Sequence, residues 1–380
     1  MIFPRHLRVE DSSQSGEARR LVEWICRELG FDAACMARAA LVVTELATNI
    51  LKHTGAAAGE LVFTPTQDSD GNWLDILSLD QGPGIANIGE SLRDGQSTAG
   101  SLGTGLGAIR RQSDWFDIYS SPGHGAAVFS RIGQRALQHD LKHAGINPSL
   151  ESVSNSVPNP MSVAAGSNPA EMSVGAVCLP VHGEAACGDA WGIKRGGDTT
   201  LFLLADGLGH GPDAAAAANL AVTVFTESVS LRPAELLHLI HAALRGTRGA
   251  AVLVVQVAGV PELADATEAK VGGDVVRYAG VGNLSGAIVA AGASRSMVSH
   301  YGTAGVEARW IQEFTLPWPQ GGLLVMHSDG VATRWSLDDY PGLARHHPAL
   351  IAGVLYRDHQ RQHDDSTVVV ARAAAARSAP

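Results

Sequence analysis

Cysteine is scarce in this chain: Cys26, Cys35, Cys178 and Cys187 are the only four in 380 residues. Four thiols in a chain this size make no disulfide framework, and no CxxC metal pair is present. Basic residues are outnumbered, 28 Lys and Arg against 38 Asp and Glu, for a formal net charge of −10. An acidic chain without a long basic run is a poor match for a phosphate backbone, so nucleic acid is not expected as a partner. Long apolar runs are also missing. The longest strongly apolar stretch, Ala214 to Phe225, is too short to span a bilayer and is closed by Glu227, so no membrane is expected. Residues Met1 to Ser13 carry Arg5, His6, Arg8, Glu10 and Asp11 in place of the apolar block of a signal peptide. The expected location is cytoplasmic. The 15 histidines form no HExxH or zinc spacing, and no fixed-period repeat is found.

What is present is enough apolar surface for a sizeable core. Hydrophobic residues make up 45% and charged residues 17% of a chain long enough for two or three domains. Residues 1–135 read as an α+β domain. Helical spacing marks Glu17 to Leu29 and Ala34 to Lys52, and strands are expected at Gly59 to Thr66 and Asn72 to Leu79. A Gly-rich stretch then leads into a helix at Ala108 to Ser113 and strands at Trp115 to Ser120 and Ala126 to Ile132. Residues 136–171 hold Pro148, Pro158, Pro160 and Pro169 among Ser and Asn, a linker composition. Residues 172–374 read as many short strands with helices at Pro212 to Ser230, Pro233 to Leu244 and Leu343 to Gln360, a layered sandwich with helices outside. Residues 375–380 are a tail.

Glycine, at 43 residues, is over-represented, and it clusters in motifs that carry chemistry. Glu45 and Asn49 stand i,i+4 on an otherwise apolar helix and so form one polar notch. A hydrogen-bonded surface pair is the plain alternative for those two alone. Asp80-Gln81-Gly82-Pro83-Gly84 follows directly on a buried strand and sets a carboxylate beside backbone that a ligand can approach. Gly103-Thr104-Gly105-Leu106-Gly107 precedes a helix, where N–H groups and the helix dipole favour phosphate.

These three elements, in this order, resemble the GHKL ATPase fold, and within it the small serine kinases and anti-sigma factors of bacterial partner-switching. Asp94-Gly95-Gln96-Ser97-Thr98 is similar to the RsbT-type kinases. The resemblance implies an α/β sandwich of a mixed sheet covered by helices. It implies that Asn49 holds Mg²⁺ against ATP, that Asp80 reads the adenine amino group, and that Gly82, Gly84, Gly103, Thr104, Gly105 and Gly107 shape the nucleotide site. Glu45 would be the general base toward a protein Ser or Thr hydroxyl. One position departs from the family pattern. Gly125 is followed by Ala126, where the family has a Thr that supports adenine.

In the second half, carboxylates recur at strand ends: Gly188-Asp189, Asp206-Gly207, Ser328-Asp329-Gly330 and Asp364-Asp365. Asp-Gly after a strand is ordinary turn chemistry when met once. Several converging at one sheet edge repel one another unless cations neutralise them, and hard oxygen donors suit Mg²⁺ or Mn²⁺. With Asp206-Gly207-Leu208-Gly209-His210-Gly211 and Gly280-Val281-Gly282-Asn283, these runs resemble the PPM family of metal-dependent Ser/Thr phosphatases, in the SpoIIE/RsbX subgroup. The resemblance implies an αββα four-layer sandwich and two Mn²⁺ or Mg²⁺. Asp206 would bridge the metals and the Gly207 carbonyl would coordinate. Asp329 and Asp364 would ligate one ion, with Asp364 chosen over Asp365 on register alone, and Asp189 would join the cluster. The combined expectation is a kinase and a phosphatase acting on STAS-type regulatory partners, with a sigma factor or other signalling pathway downstream. The alternative is a non-catalytic ATP-binding, partner-binding module fused to an active phosphatase. Cys187, two residues from Asp189, reads as a small packing residue rather than a redox switch.

Overall fold

The computed structural model describes residues 4–54, 58–68, 71–92, 105–135, 172–258, 275–290 and 292–373. Its first part runs β1 (Arg5–Val9), α1 (Ser13–Glu28), α2 (Ala33–His53), β2 (Gly59–Asp68), β3 (Gly71–Asp80), the single turn α3 (Ile88–Ser91), α4 (Gly105–Gln112), β4 (Trp115–Ser120) and β5 (Ala126–Arg135). The second part runs β6 (Met172–Leu179), β7 (Asp189–Gly196), β8 (Thr199–Gly207), α5 (Pro212–Glu227), α6 (Pro233–Ala243), β9 (Ala250–Ala258), β10 (Val275–Val281), β11 (Ser285–Ala290), β12 (Ala293–Ser296), β13 (Phe314–Pro317), β14 (Leu323–His327), α7 (Pro348–His359) and β15 (Ser366–Ala373). The expected linker at 136–171 and the tail at 375–380 lie outside the described residues.

The first sheet has the order β1-β2-β3-β5-β4, and each of its pairings is antiparallel. The expectation of a mixed sheet is therefore corrected: neighbouring strands in this sheet run oppositely. Strand β1 went unread, although Leu7 and Val9 alternate as a half-buried strand does. Helix α2 starts where Asp32 caps it, its side chain accepting from the Cys35 N–H at 2.8 Å. Among the described helices, α2 alone is long and apolar enough to cross a membrane. It serves instead as a core helix. Val42, Val43, Leu46, Ala47 and Ile50 pack with α1 and with Leu61, Phe63, Leu74 and Ile76 of the sheet.

The other two sheets, β13-β10-β9-β8-β7 and β12-β11-β14-β15-β6, face each other. Phe202, Leu204, Leu253, Val255, Leu324, Met326 and Val369 fill the space between them. Helices α5 and α6 cover the outer face of the first, over Leu201, Leu203 and Ala205. Helix α7 covers the outer face of the second, over Val177, Leu179, Val325, Val368 and Val370. The four-layer αββα sandwich is the expected one.

Helix α7 has a second neighbour. Leu77, Leu79, Tyr119, Ala127 and Phe129, on the face of the first sheet turned away from α1 and α2, join the same core as α7. Side chains alternate across a strand, so β3 presents Leu74 and Ile76 to one side and Leu77 and Leu79 to the other. That explains why β3 is buried along nearly its whole length. It also explains why α7 is buried from Pro348 through Arg357 instead of on one stripe. Gly353 allows the close approach: a Cβ there would lie 3.0 Å from Leu79 Cδ2. The molecule is thus six layers deep, with α7 enclosed between two sheets.

Candidate functional sites

Two sites lie at sheet ends on opposite sides of α7. In the first, Glu45 and Asn49 are half-buried on α2. The N-terminus of α4 sits against Asn49, with the Gly105 Cβ position 3.4 Å from Asn49 Oδ1. Gly107 is buried within α4. Gly103, Thr104 and the run Asp94 to Thr98 lie outside the described residues.

Asp80 closes β3. Its Oδ1 accepts from the Gly82 N–H at 2.9 Å and from the Ala126 N–H at 3.2 Å. Both of these bonds fall on one oxygen. The Ala126 departure therefore removes a hydroxyl but keeps the backbone anchor of Asp80. Gly84 has φ +76, and a Cβ there would lie 2.4 Å from the Ser121 carbonyl oxygen, so only glycine fits this turn. The structure brings Glu45, Asn49, Asp80, Gly82, Gly84, Gly105 and Gly107 to the α2, α4 and β3 ends of one domain.

The second site is built on a cross-strand pair. Asp189 opens β7 and stands directly opposite Asp206 at the end of β8. Like charges in that position destabilise a sheet. Burial, then repulsion from Asp189, Asp329, Asp364 and Asp365, pushes the Asp206 carboxyl up to about 9. Asp189 is pushed up to about 7. Burial is the main cause; the nearby Ser328 and Thr367 hydroxyls oppose it, although neither makes a hydrogen bond of good geometry to Asp189 Oδ2, and Asp365 and Asp364 add to it. Burial and Asp364 also raise Asp329. Asp329 Oδ2 accepts from Asn283 Nδ2 at 2.6 Å, which gives Asn283 an orienting role that the sequence reading did not assign.

Asp365 is occupied differently. Its two oxygens accept from the Val181 and Gly188 N–H groups, both at 2.8 Å. Asp364 Oδ1 takes the Asp365 N–H at 2.9 Å. Asp365 ties the turn before β7 in place, and Asp364 is the freer carboxylate of the two.

Among the described residues, no three His, Cys, Asp or Glu side chains are already drawn into a closed metal-binding group. The donor set nevertheless fits a hard divalent cation. Asp189 Oδ2 and Thr367 Oγ1 are buried with no hydrogen-bond partner. An orphaned carboxylate oxygen among other carboxylates is what a cation would satisfy.

Arg357 was not foreseen at all. It is the first charged residue after the apolar run of α7, and it is buried, 8% exposed. It donates to the carbonyl oxygens of Asp80 at 2.9 Å and Ala126 at 3.4 Å, and its other nitrogens hold Asp358.

Comparison with known proteins finds matches for each of the two parts. A family profile described as histidine kinase-like ATPase domain matches residues 9–129. A profile described as stage II sporulation protein E matches residues 196–374. The serine/threonine-protein kinase RsbT of Bacillus subtilis (strain 168) is 37% identical over 111 residues, 29% of this chain and 82% of that protein. A solved chain of the bacterial stressosome, described as a modular system adapted to control secondary messenger signalling, is 28% identical. It covers 53% of this chain and all of its own, at a TM-score of 0.46. RsbX in complex with magnesium is 17% identical, covering 53% of this chain and 96% of its own, at a TM-score of 0.43. The chain belongs, through its N-terminal part, to the RsbT family of histidine kinase-like ATPase domains, joined here to a domain of the stage II sporulation protein E type.

Proposed function

We propose that the chain is a bifunctional signalling enzyme: an ATP-dependent protein Ser/Thr kinase in its N-terminal part and a metal-dependent phosphoserine/phosphothreonine phosphatase in its C-terminal part. Its substrates would be STAS-type regulatory proteins of a partner-switching system. The observation that carries this reading is Asp189 facing Asp206 across β7 and β8 with a buried, unpartnered oxygen. Such a pair costs stability unless the site exists to hold cations.

In the phosphatase site, Asp206, the Gly207 carbonyl, Asp189, Asp329 and Asp364 would hold two Mn²⁺ or Mg²⁺. When bound, the ions supply a water of lowered pKa and neutralise the phosphoryl oxygens. Asn283 fixes the rotamer of Asp329, and Asp365 fixes the backbone on which Asp189 is mounted. In the kinase site, Asp80 offers its carboxylate to the adenine amino group, and Asn49 would hold Mg²⁺ against the phosphates. Gly105 and Gly107 bring backbone N–H groups toward the phosphates, and Glu45 takes the proton from the attacking Ser or Thr hydroxyl.

Two measurements test this. Transfer of labelled phosphate from ATP to a STAS-domain partner is expected with the intact chain and not with Glu45→Ala. Partner binding without transfer by the intact chain would favour the non-catalytic module. Mn²⁺-dependent hydrolysis of a phosphoserine peptide is expected to vanish in Asp206→Asn, and undiminished turnover there would remove the phosphatase assignment.

A further inference from the structure

Cys178, inside β6, and Cys187, in the turn that leads into β7, bring their sulfurs to 3.7 Å. Cys178 Sγ also donates to the Asp189 carbonyl at 3.6 Å. All four cysteines are free thiols. Cys35 differs in kind, since its sulfur is committed to the Gly133 carbonyl at 2.8 Å.

A disulfide holds its sulfurs about 2.05 Å apart, so closing this pair takes an approach of roughly 1.7 Å. The two ends are unequally free to move. Cys178 is buried and locked in register opposite Thr367 of β15. Cys187 is half-buried and lies outside any strand. The turn at Cys187 is therefore the part that yields.

That turn has no slack at its far end. The Gly188 N–H is bonded to Asp365 Oδ2 at 2.8 Å, and the Gly188 carbonyl accepts from the Gly207 N–H at 3.0 Å. Even a Cβ on Gly188 would lie 2.6 Å from Asp365 Oδ2. Gly188 and Asp189 follow Cys187 directly, so any backbone shift of Cys187 toward Cys178 bears on the Gly188 bond to Asp365 and on the placement of Asp189.

We propose that Cys178 and Cys187 form a reversible intramolecular disulfide under peroxide, a modification site that withdraws Asp189 from the carboxylate cluster. The effect on metal rests on the reading of Asp189 given above. The chemistry balances with hydrogen peroxide as oxidant. The Cys187 sulfur attacks one peroxide oxygen, the O–O bond breaks, and the thiol proton leaves with the departing hydroxide as water. The Cys178 sulfur then attacks the resulting sulfenic sulfur and displaces a second water, so two thiols are oxidised while the peroxide is reduced. A dithiol reverses it by exchange.

The test uses the full chain. After peroxide and digestion without reductant, a peptide pair linked through Cys178 and Cys187 is expected, two hydrogens lighter than its parts. It should be absent in Cys178→Ser and in Cys187→Ser. In the same samples, the Mn²⁺ concentration needed to raise the melting temperature should rise at least tenfold on oxidation. Dithiothreitol should restore it, and both serine variants should be indifferent to peroxide. No linked peptide overturns the modification site. A linked protein with an unchanged Mn²⁺ response overturns the withdrawal of Asp189. A reduced wild-type chain that ignores Mn²⁺ overturns the metal reading, and with it the withdrawal, while the mass measurement still decides the disulfide.

Discussion

Arg357 of α7 donates to the main-chain carbonyl of Asp80 at 2.9 Å, so a residue of the SpoIIE-type domain sits directly beneath the carboxylate proposed to meet adenine. The same guanidinium reaches the Ala126 carbonyl, whose own N–H holds Asp80 Oδ1. Arg357 thus braces both strands that position Asp80. Removing it leaves two buried carbonyls and part of Asp358 unsatisfied. Arg357→Ala is expected to cost about 3–5 kcal/mol, the range for breaking a buried charge pair by removing one partner. Denaturant unfolding checks this. Titration with a fluorescent ADP analogue should show weaker binding in the same variant, although Arg357 lies outside the nucleotide domain. Arg357→Lys, which keeps a donor and the charge, should recover part of both losses.

The interface carries its own acid sensitivity. The His347 ring stacks on Phe129 with centroids 4.4 Å apart, and its backbone N–H donates to Asp117 at 2.7 Å. Burial, helped by Arg131 and Arg372 and opposed by Asp117, pushes the His347 imidazole down to about 3. The folded chain thus refuses a proton that the unfolded chain accepts near 6.5. The stability from neutral His347 is complete above 6.5 and is lost as pH falls toward 3, by up to about 1.4 kcal/mol per pH unit. Burial raises the Asp117 carboxyl, but the His346 side chain and the backbone N–H groups of His347 and Ile118 outweigh it and hold Asp117 low. Its contribution is lost only in stronger acid, as pH falls through its depressed value. Melting temperatures from pH 7 to pH 4 should fall steeply in the wild type. The slope should flatten in His347→Asn, which cannot titrate but can still accept the Ala349 N–H that caps α7.

How much of this was legible in the sequence depends on where the information lay. The helix α2, the strand ends at Asp80, Asp206 and Asp329, and the glycine turns were readable because periodicity and Asp-Gly chemistry are local. The role of α7 was not. Its apolar run could be read as a helix, yet an all-round apolar helix of 12 residues does not name its two neighbours. The second face of β3 was equally silent, since a continuously buried strand loses the alternation that would mark a face. Arg357 and His347 matter through contacts more than 200 residues away in sequence, to Ala126 and Asp117, and no local pattern encodes those. That Asp365, and not Asp364, is tied to the Val181 and Gly188 amides is likewise set only by the folded turn.

The facing carboxylates predict an opposition between stability and activity. Asp189→Asn removes one carboxyl from a buried pair whose burial and mutual repulsion push Asp206 up to about 9, and gives an amide able to bond the Thr367 hydroxyl. Without metal, the variant should be more stable than wild type, by about 1–2 kcal/mol if the relief is comparable to removing one unsatisfied buried group. It should also lose phosphatase turnover and the rise in melting temperature on adding Mn²⁺. Thermal scans in chelator and in Mn²⁺ check both halves. A variant less stable than wild type in chelator would mean that Asp189 is satisfied without a cation.

The remaining prediction concerns Ala126, where the family pattern has a hydroxyl. Ala126 begins β5, is 7% exposed, and pairs with Ser120 of β4. A strand position next to Ser120 suits a β-branched residue. Its backbone N–H is already engaged with Asp80, so Ala126→Thr adds a donor beside the carboxylate proposed to meet adenine, without disturbing the bond that holds it. One added hydrogen bond is worth roughly 0.5–1.5 kcal/mol, which corresponds to a gain of about 2- to 12-fold in nucleotide affinity. Calorimetric titration of wild type and variant with ADP and Mg²⁺ measures it. Unchanged affinity with unchanged stability would show that this chain has replaced the missing hydroxyl by other means. A gain would show that the alanine holds nucleotide affinity below what the fold can reach, leaving occupancy of the site to follow the cell's ATP level.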